Sequence, residues 1–544
     1  MSLEHVNNQR AMRLIEPTVL HIVGDRVTCP SIWPSPRRRS TITLEDGTIY
    51  QHDIAVEPLP DVKVHEVNGK FFSTAQIALP ADLPEGYHTL HIAAGQREAD
   101  ATLISAPQRI PLLDPLKNGS LWGWMAQLYS IRSADSWGVG DFADLRTLLI
   151  DSKRYTNADF MLINCACRRT GLTADPVAIP TGVASLHQLH LHSPGGHSGV
   201  LRVGRCRQAV RQGRARQDGG LQRRSEPDRP RCHVAGEREG AAHDLQHGPA
   251  VGAPAGLRRL QGRCGEDLEA YATWCVCYAK WGKPENTPDN WINKYTKDSP
   301  EVKQLREQNS DLLEFYRWLE WIAVEQMHAA QQAARQAGMK IGIMSDMAVG
   351  VHPRRLRGVV EPGAIRQWRH RGCAAGHVQP AGAELEPTPV EPAVAQGNRL
   401  QGVPRDGAWH VRLRRCCAHR PHSRPVPPVV DPGGQPASNG TYVYYDHNTM
   451  LGILAIEADR VGGLIVGEDL GVVPSYVQQS LADYAIFGCA VEWFEQMDGV
   501  FIPPKDWRPY ALASVDNHDM PPAAGYLEYE HVRVREQLGL LGED

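Results

Sequence analysis

Three short apolar segments of this chain are each followed within four residues by an acidic residue: KIGIM by Asp346, LIVG by Glu468 and ALASV by Asp519. Two of these segments follow stretches with helical apolar spacing that end at glycine, residues 311–338 and 449–463, which predicts a helix leading into a buried strand. In a parallel β/α barrel the carboxyl ends of the strands converge on one mouth, where the active site lies. A single acidic residue at such a place also fits an N-cap of the next helix. Three in one chain favour a site.

The rest of the chain indicates two domains. Residues 1–107 contain short strands separated by Gly, Pro and Asp turns, which predicts a small antiparallel β-sandwich. Beyond a linker at residues 107–115, residues 142–155 have helical spacing and residues 158–164 form a buried-strand run. We therefore predict an α/β fold class, an all-β sandwich followed by a β/α barrel over residues 108–544.

Length, composition and charge exclude several classes of protein. The chain has 544 residues, of which 42% are apolar, and a formal charge of -4. No run of about 18 apolar residues occurs, and the start MSLEHVNNQR is unlike a signal peptide. The 12 Cys residues form no disulfide-framework pattern. We therefore expect a cytoplasmic protein without a membrane or nucleic-acid partner, while the oligomeric state stays open.

Aromatic residues are unevenly distributed along the chain. Residues 161–270 contain no Phe, Tyr, Trp or Lys, and residues 354–436 contain no Phe, Tyr or Lys. Both blocks are rich in Arg, Gly and Pro. Aromatic side chains carry much of the burial in a globular core, so an ordinary domain does not lose them over such lengths. Both blocks need a separate explanation.

Four long segments are recognisable together: GWMAQLYSIRSADSWGVGDFADLRTLL (123–149), GIMSDMAVGVHP (342–353), GTYVYYDHNTMLGILAIEADRVGGLIVGEDLGVVPSYV (440–477) and WRPYALASVDNHDMPPAAGYL (507–527). They resemble the 4-alpha-glucanotransferase family, also called amylomaltases or disproportionating enzymes. The resemblance implies a (β/α)8 TIM barrel with insertions, which moves α-1,4-glucan segments between maltooligosaccharides or glucans as donor and acceptor. It also implies a retaining mechanism without a metal or organic cofactor. The sandwich resembles the domain that precedes the barrel in some bacterial members.

The resemblance assigns the catalytic roles residue by residue. Retaining glycoside chemistry uses one carboxylate as nucleophile and a second carboxyl group as acid and then base. Glu468 in VGEDLG matches the family's general acid/base. Asp519 in NHDMPP matches the carboxylate that binds sugar hydroxyls and stabilises the oxocarbenium-like transition state, and His518 is its hydrogen-bonding neighbour in substrate binding.

The resemblance also implies supporting residues. Asp346 in SDMAVG matches an acidic residue that supports the site rather than reacting. Tyr129, Trp137 and Asp141 belong to the first barrel motif, where structural and substrate-proximal roles both stay open. For Trp137, core packing and sugar stacking are equally good interpretations.

The nucleophile of the family is missing from this chain. It is an Asp in an Arg-Ile/Val-Asp-His motif between the Asp346 and Glu468 motifs, and no such tetrapeptide occurs there. Synonymous codons for residues 372–392 can be chosen so that the reading frame shifted by one nucleotide encodes GAPPDMFNQLGQNWSQPPWN. This peptide resembles the family's glucan-binding loop. We therefore expect residues 165–263 and 354–433 to be out-of-frame translations. Even in the restored frame the Asp-His pair is absent.

We expect this chain to be inactive, because covalent catalysis without its nucleophile leaves only binding and electrostatics. The family pattern also continues beyond the Asp519 motif, so we expect a barrel that is incomplete at its C-terminus. Two alternatives remain, a non-catalytic glucan-binding pseudoenzyme and an α-amylase-type hydrolase.

Two further interpretations of the aromatic-poor blocks are disfavoured. A zinc cluster has candidate ligands in the first block, but their spacing fits no common zinc pattern: Cys165, Cys167, His187, His190, His192 and His197. Arg-rich residues 211–231 resemble a nucleic-acid-binding run, but they lack interleaved aromatic residues. We therefore expect neither a metal site nor a nucleic-acid site in these blocks.

Overall fold

A computed structural model describes residues 13–163, 255–347 and 446–539, with gaps at 25–37, 54–55, 59–63, 68–69, 74, 78, 95, 118, 135–139, 283–288, 471–472, 474 and 518–522. Between residues 348 and 445 it describes only short strands. The chain divides into two compact units. The first contains residues 1–118, 416–426 and 446–544, and the second contains residues 119–415 and 427–445.

The first unit begins with an N-terminal β-domain. Its described strands are β1 (Thr18–Ile22), β2 (Arg38–Thr43), β3 (Ile49–Asp53), β4 (Val56–Pro58), β5 (Val64–Val67), β6 (Lys70–Ser73), β7 (Ala75–Ile77), β8 (Gly86–Ala94) and β9 (Arg97–Ala106). The main sheet has the order β1-β9-β8-β2-β3, and β4 pairs with β7 and β5 with β6. The succession of short strands over residues 18–106 agrees with the predicted all-β domain.

Alternation of buried and exposed residues explains the sheet. Along β8 the side chains of His88, Leu90 and Ile92 are buried, whereas Thr89 is exposed and His91 is half-buried. This period of two is what a strand with one core face requires. One pairing differs from the antiparallel prediction, because β1 runs parallel to β9, with Val19 opposite Leu103. Strand direction depends on long-range pairing, which no local pattern encodes.

The second unit contains parallel strands and long helices. The first unit ends this part of the chain with the short helix α1 (Asp114–Lys117). The described helices and strands of the second unit up to residue 347 are β10 (Gly123–Ala126), α2 (Phe142–Thr156), β11 (Phe160–Ile163), α3 (Ala255–Trp281), α4 (Trp291–Lys294), α5 (Pro300–Gln308), α6 (Ser310–Gln336) and β12 (Gly342–Met347). β10 pairs with β11 and β11 with β12, both in parallel. The core between α2, α6 and these strands contains Phe142, Leu145, Leu149, Met161, Ala323, Met327, Ala330 and Ile343.

The predicted ends of the long helix are confirmed. α6 begins after Asn309, and Gly338 adopts a φ of 97° just beyond its last turn, a backbone conformation that glycine adopts without strain. α3 begins at Ala255, inside the first aromatic-poor block, and is kinked at Gly265, whose φ is 43° and ψ is -118°. Residues 164–254 of that block lie outside the described residues.

Asp141 begins α2 through a capping box. Its carboxylate accepts hydrogen bonds from the backbone N–H groups of Ala143 at 2.8 Å and Asp144 at 3.0 Å. The Asp144 side chain in turn accepts from the backbone N–H of Asp141 at 3.0 Å. These contacts pair backbone donors that the first helical turn leaves without intrahelical partners.

Replacing Asp141 by alanine is expected to weaken α2 by about 1 kcal/mol, because the cap is lost. Hydrogen exchange over residues 142–156 measures this as faster opening of the helix. The matched control is Arg146→Ala, an exposed change in the same helix, for which we expect a difference within about 0.5 kcal/mol. Equal effects of the two variants would contradict the capping role.

The remaining elements follow residue 348. Those of the second unit are the strands β13 (Arg369–Cys373), β14 (Ala383–Leu385), β16 (Val429–Pro432) and β17 (Thr441–Tyr442), which pair in the order β14-β13-β16-β17. Those of the first unit are β15 (Cys416–His419), α7 (His447–Val461), β18 (Leu464–Gly467), α8 (Ser475–Asp483), β19 (Gly488–Val491), β20 (Gln496–Met497), β21 (Val500–Phe501), β22 (Ala511–Ser514), α9 (Ala523–Leu527) and α10 (Glu530–Gln537). Among the helices of the described ranges, none has the length and apolar character needed to cross a membrane.

Candidate active site

Glu468 lies directly beyond a fully buried strand. α7 ends at Gly462, whose φ of 58° gives a left-handed C-cap, and β18 begins two residues later. All four residues of β18 are buried, and Glu468 itself is half-buried. The sequence prediction of helix, glycine stop, strand and acidic residue is therefore confirmed at this position. The carboxyl end of a parallel strand is where barrel enzymes carry their functional groups.

The residue after Glu468 anchors the segment. The Asp469 side chain is 1% exposed, and both of its oxygens accept hydrogen bonds from the Arg508 guanidinium at 2.5 Å. The backbone N–H of Cys489 donates to the same carboxylate at 2.9 Å. Bidentate pairing of this kind fixes orientation as well as distance. The chain that carries Glu468 is thereby tied to β19 and to the segment before β22.

Close approach of Arg508 explains a glycine at residue 488. A Cβ atom there would lie 2.6 Å from Nη2 and 2.7 Å from Cζ of Arg508, so a larger residue would displace the guanidinium. Arg508 also donates to the backbone carbonyl of Cys489. The hydrogen bond and charge of Asp469 raise the pKa of Arg508 despite the opposing effect of burial, so the guanidinium stays protonated.

The carboxyl ends of β18, β19 and β22 lie at one edge of the first unit. β19 pairs with β22 in parallel, with Val491 opposite Ser514. A parallel bridge joins Val466 to Phe487, which connects β18 to the same set. Asn517 is the last described residue before the gap at 518–522, so His518 and Asp519 lie outside the described residues. The segment leading to Asp519 therefore leaves the sheet at the edge where Glu468 lies.

Asp346 lies near the carboxyl end of β12 in the second unit. It lies inside β12 rather than just past it, so the predicted strand is extended by the structure through Met347. Gln331 of α6 fixes the start of this strand, because its side chain donates to Ile341 O at 2.9 Å and accepts from Ile343 N at 2.7 Å. Asp346 is half-buried and Ser345 before it is buried. Pairing inside the sheet thus persists past the point where the apolar run ends.

The residues of the first barrel motif separate into different roles. Tyr129 is 48% exposed in a turn after β10, and its hydroxyl donates to Gln127 Oε1 at 2.9 Å. Asp141 is buried and its carboxylate caps α2, which supports the structural alternative of the two that the motif left open. Trp137 lies outside the described residues.

Sequence reasoning did not find Arg508 as a partner of the site. The only signal was its position in WRPY, next to the strand that precedes Asp519, and no spacing rule joins it to Asp469. Among the described residues no group of three His, Cys, Asp or Glu side chains is arranged to hold a metal ion. The cysteines and histidines of the disfavoured zinc cluster lie outside those residues.

Comparison with known proteins gives consistent matches over most of the chain. Residues 253–542 match the family described as 4-alpha-glucanotransferase, and residues 14–107 match the MalQ N-terminal beta sandwich domain. The 4-alpha-glucanotransferase of Mycobacterium tuberculosis H37Rv is 32% identical over 533 residues, covering 92% of this chain and 70% of that protein. The Haemophilus influenzae 4-alpha-glucanotransferase is 26% identical over 519 residues, covering 87% and 69%.

Solved structures show the same likeness. The crystal structure of amylomaltase from Corynebacterium glutamicum has a TM-score of 0.83 and 29% identity, covering 100% of this chain and 75% of that one. An amylomaltase from Streptococcus agalactiae, solved in complex with acarbose, shares the fold at a TM-score of 0.59 and 14% identity, covering 78% and 85%. The predicted fold class, a β-sandwich followed by a TIM barrel, is confirmed.

Proposed function

The chain belongs to the 4-alpha-glucanotransferase family, and from that premise we propose that its family reaction is a double displacement on α-1,4-glucans with Glu468 as the acid/base. The substrates are maltooligosaccharides or glucans, as donor and as acceptor. The observation that carries this proposal is the position of Glu468, half-buried directly beyond a fully buried parallel strand. The resemblance of VGEDLG to the family's acid/base motif supports the same role.

The first step needs a proton on the leaving oxygen while a nucleophile attacks the anomeric carbon. Glu468 donates that proton and later removes one from the incoming sugar hydroxyl. Asp519 and His518 bind sugar hydroxyls and stabilise positive charge as it develops. The resemblance gives Asp346 a supporting role, and Tyr129 belongs to the first barrel motif. The Asp469–Arg508 pair supports this scheme, because it holds the segment beside Glu468 in one orientation.

This chain lacks the nucleophile that the reaction requires. No Arg-Ile/Val-Asp-His motif lies between Asp346 and Glu468, so no glycosyl-enzyme bond forms at that position. We propose that residues 165–263 and 354–433 are out-of-frame translations. The position of the motif falls in the second of them, where the Asp-His pair is absent even in the restored frame. Determining the nucleotide sequence across residues 160–440 tests the frame directly.

Incubation of the chain with maltotriose separates the candidate functions. Transfer yields glucose together with longer dextrins, hydrolysis yields glucose and maltose only, and pure binding yields neither. We expect no product from the chain with this sequence, measured by chromatography of the sugars over many hours. Formation of longer dextrins would refute the inactivity proposal, and formation of maltose without longer dextrins would favour an α-amylase-type hydrolase.

A further inference from the structure

The helix that leads to Glu468 packs against the N-terminal β-domain. α7 contacts β1 and β9 within the first unit. Gly452 of α7 is the point of closest approach, since a Cβ atom there would lie 2.8 Å from Leu20 Cδ1 and 3.2 Å from Ala106 Cβ. Residues 451–458 are buried on every face of the helix, as expected for a helix enclosed by its neighbours.

The burial pattern of β9 also reflects the contact with α7. In β9 the last four residues, Leu103, Ile104, Ser105 and Ala106, are all fully buried. A strand with one solvent face alternates between buried and exposed residues, and β9 stops alternating where α7 covers it. The outer face of the β-domain sheet is therefore an internal surface of this unit.

A polar network fixes the C-terminal half of α7 to the β-domain. Glu457 is fully buried, and its Oε1 accepts hydrogen bonds from the Tyr87 hydroxyl at 2.9 Å and from Arg460 Nη1 at 3.1 Å. Arg460 also pairs with Glu45, and its guanidinium carbon lies 5.1 Å from the centre of the Tyr87 ring. The backbone N–H of Tyr87 donates to Glu45 at 3.2 Å.

The surroundings of Glu45 and Tyr87 set the protonation states that this network needs. Burial opposes ionisation of Glu45, but the hydrogen bonds from Arg460 and the Tyr87 backbone together hold its pKa below the usual range. Burial, followed by the charge of Glu457, raises the pKa of Tyr87, which keeps the phenol protonated and able to donate. A buried carboxylate is tolerable only when it is paired and hydrogen-bonded, and Glu457 has both kinds of partner.

We propose that Tyr87 is a positioning residue for Glu468. It acts through Glu457, which lies on the last turns of α7, and through the Gly462 stop and the four buried residues of β18. The β-domain thereby holds the helix whose end sets where β18 delivers Glu468. The importance of this placement for catalysis rests on the proposed role of Glu468. The structural coupling of Tyr87 to Glu468 through α7 and β18 does not depend on that role.

Hydrogen exchange of the full chain tests the coupling. In Tyr87→Phe, amides of residues 453–467 are expected to exchange about tenfold faster, since the variant removes one hydrogen bond to a buried charge. α6 in the second unit serves as the internal reference and is expected not to change. The matched control is Tyr50→Phe, which removes a hydroxyl from a tyrosine that is 42% exposed on the same β-domain.

Carboxyl labelling reports the position of Glu468 itself. The measurement is amidation of Glu468 by a carbodiimide and a small amine, followed by mass spectrometry. We expect the reaction to be about twofold faster in Tyr87→Phe, because a larger fraction of molecules has Glu468 displaced from its native position. A role confined to the β-domain would not alter this rate. Unchanged exchange in residues 453–467 together with an unchanged labelling rate would overturn the proposal, as would a uniform acceleration that includes α6.

A second variant covers the case in which Tyr87→Phe does not fold. Glu457→Gln keeps an acceptor for Tyr87 but removes the charge that pairs with Arg460, and we expect faster exchange of α7 and faster labelling of Glu468 in this variant too. Conservative replacement of Arg460 by lysine is expected to restore part of the protection relative to Arg460→Met. If Glu468 were not the acid/base, the exchange and labelling results would stand while the activity of a frame-restored protein would not depend on Glu468.

Discussion

Replacing Arg508 by methionine is expected to lower the free energy of unfolding by about 3 kcal/mol. The variant leaves the Asp469 carboxylate, 1% exposed, without the two charge-assisted hydrogen bonds that now hold it. An uncompensated buried charge costs more than the net value of the pair, because desolvation is no longer offset. Hydrogen exchange over residues 464–467 and 488–491 measures the loss, since both segments meet at this pair.

A double variant distinguishes loss of the ion pair from loss of packing. Arg508→Met combined with Asp469→Asn removes the stranded charge, so part of the stability is expected to return. Arg533→Met, an exposed arginine of the same unit that donates to the Glu528 carbonyl, is the matched control and is expected to change stability by less than about 0.5 kcal/mol. A double variant less stable than Arg508→Met would show that the charge of Asp469 was not the cause.

The local parts of the site were predictable because their causes are local. A helix that ends at Gly462, followed by LIVG and then Glu468, follows from spacing, glycine conformation and strand burial. The C-terminal end of α6 followed from Gly338 for the same reason. The C-terminus of β12 was placed too early, because sheet pairing continues through Asp346 although the apolar run has stopped.

The supports of the site were not predictable, since they join distant parts of the chain. Asp469 and Arg508 are 39 residues apart, and Tyr87 and Glu457 are 370 residues apart. Side-chain patterns within a helix or strand carry no information about such partners. The parallel pairing of β1 with β9 was missed on the same ground. Sequence patterns therefore located the acidic groups, whereas the contacts that orient them came only from the folded chain.

The two aromatic-poor blocks bear on activity more than on fold. Long matches on both sides of them show the family, and the relatives align over most of the chain. Glu468 and the elements that position it lie outside both blocks. The proposed position of the nucleophile falls in the second block, so family membership and the proposed loss of activity are compatible in one chain. The most informative variant is therefore one that restores the nucleophile motif rather than one that removes a further residue.

Restoring the reading frame of both blocks, with an Arg-Ile-Asp-His motif supplied at its family position, is expected to raise maltotriose disproportionation by about ten-thousandfold or more. On the proposal that the present chain retains only binding and electrostatic stabilisation, the restored chain differs from it by forming and breaking a covalent glycosyl bond. The measurement is the initial rate of glucose release together with the appearance of longer dextrins. An equal rate in both chains would exclude the missing nucleophile as the cause of inactivity.

Within the restored protein, Glu468→Gln is expected to lower the transfer rate by about 100-fold to 10,000-fold, which is the usual contribution of a positioned acid/base. The glutamine keeps the size of the side chain but neither donates nor accepts the proton that each half-reaction moves. Glu536→Gln, an exposed change on α10, is the matched control and is expected to leave the rate unchanged. A leaving group that needs no protonation, such as fluoride on a glucosyl donor, is expected to recover the first half-reaction of Glu468→Gln but not that of a nucleophile variant. Failure of such a donor to restore glycosyl-enzyme formation would assign Glu468 a role other than proton transfer.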